Sequence, residues 1–486
     1  MDEVVTLNHL HGKIKDYIMM IGIIGAGYSG VALAFNIYRE AQEPVHVLLF
    51  ERRHQHGLGA AYSTTNPEHL LNVPAGGMSA LADDPDDFVN FLLQDLRAAP
   101  YIRADQEIRN QFVPRMVYGW YIQDLLEKSH VPSPHGAIVE TMTDDVTDVQ
   151  AIKQGFLLHT RSGHVARVNK LVLATGHAAP AQGLLAAVPA EHLVADPWNY
   201  SMIEKIDRKA SVLIVGTGLT MVDTVITLAK LEHRGPIVAL SRRGLAPQSH
   251  CSLQADNPAE WQVDRLRTLR QKLCTTGRNR AKSGGDWREV VNALRGKTQE
   301  LWRGLNQREQ NAFLRHLAPY WESHRHRIAP EVAGRIQALI QAGQLRIMAG
   351  KIIDIATNQQ PANPVNIAVR PRGYNHSSLM IRADVVINCT GPETNIARSQ
   401  DPLIQSMLRQ GLIRPDAHRL GFDVADDGGL INAPGETSDT LFTLGPTTRG
   451  RWYEIVAVPD IRKQSHALAQ RLLSPIARES RLVAVA

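Results

Sequence analysis

The chain of 486 residues is short of thiols, of charge runs and of long apolar segments. Its three cysteines, Cys251, Cys274 and Cys389, form no CxxC pair and have no metal-ligand spacing. That disfavours a zinc module and a dithiol reductase of the glutathione-reductase kind, and no metal is expected. So few thiols in so long a chain fit a reducing cytoplasm, the expected location. Lys and Arg number 53 against 48 Asp and Glu, a net charge of only +5 without a basic run, so no nucleic-acid partner is expected. The apolar stretch from Tyr17 to Phe35 is broken by Gly22, Gly25, Gly27, Ser29 and Gly30. A spanning helix wants about 20 uninterrupted apolar residues, so neither a membrane segment nor a signal peptide is expected. GxSxG, HExxH, a Gly-Lys-Ser/Thr phosphate loop and a DxDxDG loop are all missing, which removes the chemistries they serve.

What is there is a repeated strand–turn–helix. The run from Ile18 to Ile24 is apolar and continuous, as a strand buried on both faces should be. It ends in Gly25-Ala26-Gly27-Tyr28-Ser29-Gly30, which fits GxGxxG, and a helix is predicted from Ser29 to Glu40. Gly25 permits the tight turn, Gly27 admits a pyrophosphate to the backbone, and Gly30 lets helix and strand pack closely. The helix start offers free N–H groups and a positive dipole end to phosphate. The next strand, 44–51, ends in Glu51, a carboxylate suited to both hydroxyls of an adenosine ribose. A second copy is Gly216-Thr217-Gly218-Leu219-Thr220-Met221, between a strand at 211–215 and a helix at 219–231. It lacks the third glycine, and its second strand ends in Ser241-Arg242-Arg243 instead of an acid. Arginine there pairs a 2′-phosphate; equally, it makes a solvated basic turn.

Two Thr-Gly turns, at Thr175-Gly176 and Thr390-Gly391, each close an apolar strand after one of these units. Helices are predicted near 84–92, at 115–128 and from Pro459 to about Leu473. A β-meander is predicted over 139–174 and a helical insertion over about 258–342. The expected fold is α/β, with two Rossmann-like dinucleotide-binding domains and that insertion. The expected divisions are an FAD part at 17–205, an NAD(P)H part at 206–377, and a return to the FAD part at 378–486. Residues 1–16 read as a loose extension.

The whole pattern resembles the two-dinucleotide-binding-domain flavoproteins. Within these it is similar to a bacterial FAD/NAD(P)-binding family that includes an FAD-dependent urate hydroxylase. The likeness runs through the first glycine turn, Gly59-Ala60-Ala61-Tyr62-Ser63, His69-Leu70-Leu71-Asn72-Val73-Pro74 and Met78-Ser79. It continues in residues 216–223, Ser241 to Leu245 with His250, and Ala457 to Arg462. It implies FAD on the first unit, NADH or NADPH on the second, and a monooxygenase using dioxygen on a small, anionic substrate. Urate hydroxylation to 5-hydroxyisourate is the leading expectation. N-hydroxylation of an amine or amino acid is the alternative, and a flavin-bound sensor without turnover is the third. Asn72 and Met78 are expected near the flavin ring, and Arg115 at the FAD pyrophosphate. Pro459 and Asp460 are expected at a helix start aimed at the flavin, and Arg449, Arg451 and His250 near substrate. Relatives of this plan often end a late strand with Gly-Asp. Here Leu444-Gly445-Pro446 stands in that place, without the carboxylate.

Overall fold

The computed structural model describes residues 18–176, 178–251, 266–282, 284, 286–356, 363–374 and 377–474. The chain begins with β1 (Met19–Ile24), α1 (Tyr28–Glu40) and β2 (Val45–Glu51), then α2 (Gly59–Tyr62), α3 (Asp87–Gln94) and α4 (Arg115–Lys128). Five strands follow: β3 (Ile138–Thr143), β4 (Val146–Ile152), β5 (Gly155–Thr160), β6 (Val165–Val168) and β7 (Lys170–Leu173). The second unit holds β8 (Leu193–Val194), α5 (Tyr200–Ile203), β9 (Val212–Val215), α6 (Leu219–Lys230) and β10 (Ile237–Ser241). A run of helices comes next: α7 (Leu266–Lys282), α8 (Trp287–Leu294), α9 (Thr298–Gly304), α10 (Gln307–His316), α11 (Ala318–Arg325) and α12 (Pro330–Gln341). Then come β11 (Leu345–Ala356), β12 (Val365–Pro371), β13 (Leu379–Ala383) and β14 (Val385–Asn388). The described chain closes with α13 (Pro402–Arg409), β15 (Gly429–Ile431), β16 (Thr437–Thr443) and α14 (Val458–Leu473).

The first sheet has the order β15-β16-β7-β1-β2-β3, parallel except at the β15 edge. One face packs under α1, α4 and α14, the other under α13 and the three-stranded antiparallel β4-β5-β6. The second sheet runs β13-β12-β11-β10-β9-β14-β8. Its parallel part is covered by α6 and α12, and β12 and β13 extend it as antiparallel strands. The fold is α/β with two Rossmann-like units and a helical region.

The single meander predicted over 139–174 divides. β4, β5 and β6 form it, while β3 pairs in parallel with β2, and β7 with β1. The reason is burial: all four residues of β7 are buried, which an exposed hairpin cannot provide. Lys170, 1% exposed, survives there because its ammonium donates to the Leu472 carbonyl, 2.5 Å away at the carboxyl end of α14. The unit borders also move. β8, expected in the first part, and β13 and β14, expected in the last, hydrogen-bond into the second sheet. The chain therefore crosses just before residue 193 and just after residue 388. Residues 1–16 and 258–265 lie outside the described residues. No helix among the described residues is long and apolar enough to cross a membrane, and no cluster of three or more acidic, His or Cys residues among them could hold a metal.

Candidate functional site

The first glycine turn admits no side chain at two of its positions. Gly25 has φ +106°, and a Cβ there would lie 2.3 Å from the Ala174 carbonyl oxygen. A Cβ on Gly30 would lie 1.9 Å from the Gly25 oxygen. Gly27 is the residue before α1, whose start has no side-chain cap, so its N–H groups are free for an anion. Glu51 is already aimed: Oε2 accepts from Ala26 N–H at 3.2 Å and Oε1 from Arg53 N–H at 3.1 Å. Ser29 faces Gly445, where a Cβ would come within 2.6 Å of its Oγ, so the Leu444-Gly445-Pro446 stretch closes on the turn. Beside it opens a cleft lined among others by Arg52, Thr175, Gly176, Glu393, Pro446 and Thr447. Open parallel sheets bind their ligands at this carboxyl edge. An uncapped helix start, a close-approach glycine and a fixed carboxylate fit the diphosphate and adenosine ribose of FAD.

The second turn repeats the geometry. A Cβ on Gly216 would lie 1.9 Å from the Cys389 carbonyl oxygen, as one on Gly25 meets Ala174. Each Thr-Gly strand thus lies directly beside the glycine turn of its own sheet: β7 beside β1, β14 beside β9. Gly391 follows β14 as Gly176 follows β7. Gly218 is open and exposed, Thr220 is half-buried, and fully buried Met221 replaces the third glycine. Burial pushes the Cys389 thiol up to about 12, so it is no nucleophile. At the end of β10 the two arginines differ. Arg242 is exposed and free of ion pairs among the described residues. Arg243 donates to the Arg315 and His316 carbonyls and lies over the Tyr320 ring.

Arg115, expected at the FAD pyrophosphate, is engaged by a carboxylate of the other unit. Its guanidinium holds both oxygens of Asp223 in α6, at 2.8 and 3.1 Å, and its Nε donates to the Leu70 carbonyl. Burial opposes that charge, and Asp223 restores it. Beside it, His69 Nε2 donates to the Asp223 carbonyl and meets Thr227 Oγ1 at 2.8 Å, while Nδ1 meets Thr64 Oγ1. The His69 to Pro74 stretch is therefore a dock between the two units. His250 reaches the same loop: its Nε2 donates to the Asn72 carbonyl at 2.9 Å. Burial, against that hydrogen bond, lowers its pKa to about 4, so the ring is neutral at pH 7. Met78 is buried in the core beside this loop.

The two arginines expected at substrate are already engaged. Arg451 holds Asp426 through two bonds of 2.8 Å at the surface. Arg449 pairs with Glu322 and lies over Tyr453. A cation that already holds a carboxylate has little field left for a ligand. Glu322 also takes Tyr453 O–H at 2.7 Å and His326 at 2.9 Å. Burial would raise its pKa, but His326 and Arg449 hold it well below the usual range. Pro459 and Asp460 do begin α14, and Asp460 Oδ2 stands 3.8 Å from Arg325 Nη2. The helical insertion thus reaches the first unit as well as the second. Trp302 donates to the Gly450 carbonyl, and Trp321 to Glu454 at 2.5 Å. Sequence reasoning missed Asp223, Glu322, Arg325 and Glu454. The signal for two of them was present: Trp321 and Arg325 are four apart, so one face of α11 meets Glu454.

Two parallel sheets, each with a glycine turn at its carboxyl edge, define a two-nucleotide α/β protein. More particularly, residues 22–178 match the FAD-NAD(P)-binding family, so this segment is an FAD/NAD(P)-binding domain. A curated relative, the uncharacterized protein YdhS of Escherichia coli strain K12, is 25% identical over 224 residues. That alignment covers 44% of this chain and 40% of the relative, so it spans well under half of either. Among solved structures, ornithine hydroxylase from Pseudomonas aeruginosa in its reduced form superposes with a TM-score of 0.64 at 15% identity, covering 94% of this chain and 98% of its own. L-lysine 6-monooxygenase from Pseudomonas syringae gives 0.64 at 15%, covering 93% and 98%. The FAD-bound cadaverine monooxygenase of Erwinia amylovora gives 0.62 at 14%, covering 95% and 96%. At these identities the likeness is one of fold.

Proposed function

We propose that the protein is an FAD-dependent, NAD(P)H-using monooxygenase that hydroxylates the nitrogen of an amine or amino acid. The observation that carries this reading is the extent of the fold match. It takes in both nucleotide units and the helical insertion, over 93% to 95% of the chain, in enzymes of ornithine, lysine and cadaverine. The Kutzneria sp. 744 ornithine N-hydroxylase, TM-score 0.60 at 13% identity, was solved with reduced FAD, NADP+ and L-ornithine. These neighbours support N-hydroxylation over urate hydroxylation. The net reaction is RNH2 + O2 + NAD(P)H + H+ giving RNHOH + NAD(P)+ + H2O. When bound, FAD supplies the electron relay between nicotinamide and dioxygen.

The chain supplies position and charge. Gly27 and the start of α1 hold the diphosphate, and Glu51 the ribose. The start of α14 has no side-chain cap and adds a positive dipole end. At the second unit, exposed Arg242 is the group placed for a 2′-phosphate, which favours NADPH. Arg243 holds the insertion in place. The test is a substrate panel of L-ornithine, L-lysine, cadaverine and urate on the purified protein with NADPH or NADH. Hydroxylamine product and NADPH consumption are both read. Hydroxylamine from one of the amines is the expected result. Consumption of urate without any hydroxylamine would sink the reading. A flavin that no nicotinamide reduces would favour a sensor.

A further inference from the structure

Arg115 and Asp223 each stand within two helical turns of a part that reaches a glycine turn. Asp223 lies five residues after Gly218, roughly 7.5 Å along α6 from its uncapped start. Arg115 opens α4, and Gly119 follows about one turn later. A Cβ on Gly119 would lie 2.7 Å from Leu58 Cδ2 and 3.0 Å from the Tyr62 carbonyl oxygen, so α4 presses on α2. A Cβ on Gly59, the first residue of α2, would lie 3.2 Å from Gly27 Cα. An unbroken run of contacts therefore joins the two glycine turns, from Gly27 through α2, α4, Arg115 and Asp223 to α6 and Gly218.

The joint in that run is directional. The two Nη groups of Arg115 donate to the two oxygens of Asp223, and Nε donates to the Leu70 carbonyl at 3.1 Å. The Arg115 N–H donates to the His69 carbonyl at 2.8 Å, and His69 Nε2 returns to the Asp223 carbonyl at 3.1 Å. The two charged side chains are only 8% and 11% exposed. Adhesion alone does not call for this arrangement. An apolar pair of similar volume holds two helices as well or better, without desolvating two charges. What a forked ion pair adds is a fixed angle and distance. Hydride transfer is a step where such accuracy counts, since a misplacement of about 1 Å costs about a hundredfold in rate.

Resting on the reading that FAD binds the first turn and NAD(P)H the second, we propose that Arg115 and Asp223 are a positioning pair that sets one nucleotide site against the other for hydride transfer. The pair acts through α2 and α6, not by contact with the reacting atoms. Its loss slows flavin reduction more than it weakens the binding of either nucleotide.

The test compares the FAD-bound protein with the double variant Arg115→Met with Asp223→Leu, which removes both charges and keeps an apolar contact. FAD content and the NADP+ dissociation constant are expected to stay within about twofold. The rate of flavin reduction at saturating NADPH, followed by stopped-flow absorbance, is expected to fall about tenfold or more. Dithionite, which needs no such geometry, should reduce both proteins at one rate. Asp223→Asn, which keeps the shape and loses the charge, should fall between the two. A second readout needs no turnover. NADP+ should slow hydrogen exchange at the Leu71 amide, which donates to the Val113 carbonyl two residues before Arg115, in the unaltered protein and not in the double variant. A double variant reduced by NADPH at the unaltered rate overturns the positioning role. So does one whose reduction falls only in proportion to lost FAD or NADP+ affinity, and so does equal exchange protection in both proteins. Where the double variant does not fold, Asp223→Asn decides by the same rate, read per bound flavin. No flavin reduction by any nicotinamide in the unaltered protein would sink the oxidoreductase reading alone, because the exchange comparison judges the pair without turnover.

Discussion

Gly25, Gly30 and Glu51 act through single atoms. A methyl at position 30 would meet the Gly25 carbonyl at 1.9 Å, and backbone cannot retreat from backbone at low cost. Gly30→Ala should therefore lower FAD occupancy, read as visible flavin absorbance per protein, and lower stability by about 1–3 kcal/mol. Glu51→Gln should weaken FAD binding with no change in fold. His250 carries a pH consequence. Its folded pKa of about 4 lies below the value of about 6.5 expected unfolded, so the unfolded chain binds more protons below that pH. Stability falls as pH drops from about 6.5 towards 4, by on the order of 2–3 kcal/mol from this group. Denaturant unfolding at pH 7 and pH 5 should show the loss, and His250→Gln should reduce it. The glycines and Glu51 were legible because each serves a local turn. His250's neutrality was not, since its burial comes from residues 72 and 288–327.

α4 and α6 belong to different nucleotide units and are tied by one buried pair, Arg115 with Asp223. Asp223→Ala leaves a buried guanidinium without its acceptor and should cost about 3–5 kcal/mol. The double change Arg115→Met with Asp223→Leu should recover most of that in denaturant unfolding. A double variant as unstable as the single one would show that the charges themselves are required. Helix positions were largely readable: α4 was predicted at 115–128, where it lies. Strand partners were not. Period-two alternation places a strand but says nothing of its neighbour, so β3 and β7 fall within the predicted meander over 139–174 that they do not join.

Across the whole molecule, the two glycine turns share one plan but differ at the end of the following strand. Glu51 closes the first and Ser241-Arg242-Arg243 the second. Arg242→Ala should raise KM for NADPH about tenfold or more while leaving KM for NADH nearly unchanged. Equal shifts for both coenzymes would deny Arg242 its phosphate role. The helical insertion binds both halves, the first through Trp302, Trp321 and Glu322 and the second through the carbonyls that Arg243 holds.

The order of residues alone determined the two nucleotide units, because a glycine turn between an apolar strand and a helix is a local object of about thirty residues. It also placed an acid suited to an adenosine ribose, Glu51, at the end of the strand after the first turn. Tertiary structure alone decided which arginines are engaged. Arg115, Arg449 and Arg451 meet carboxylates more than twenty residues away in the chain. Charge is written in the sequence, but whether it is neutralised depends on what folding brings within about 4 Å.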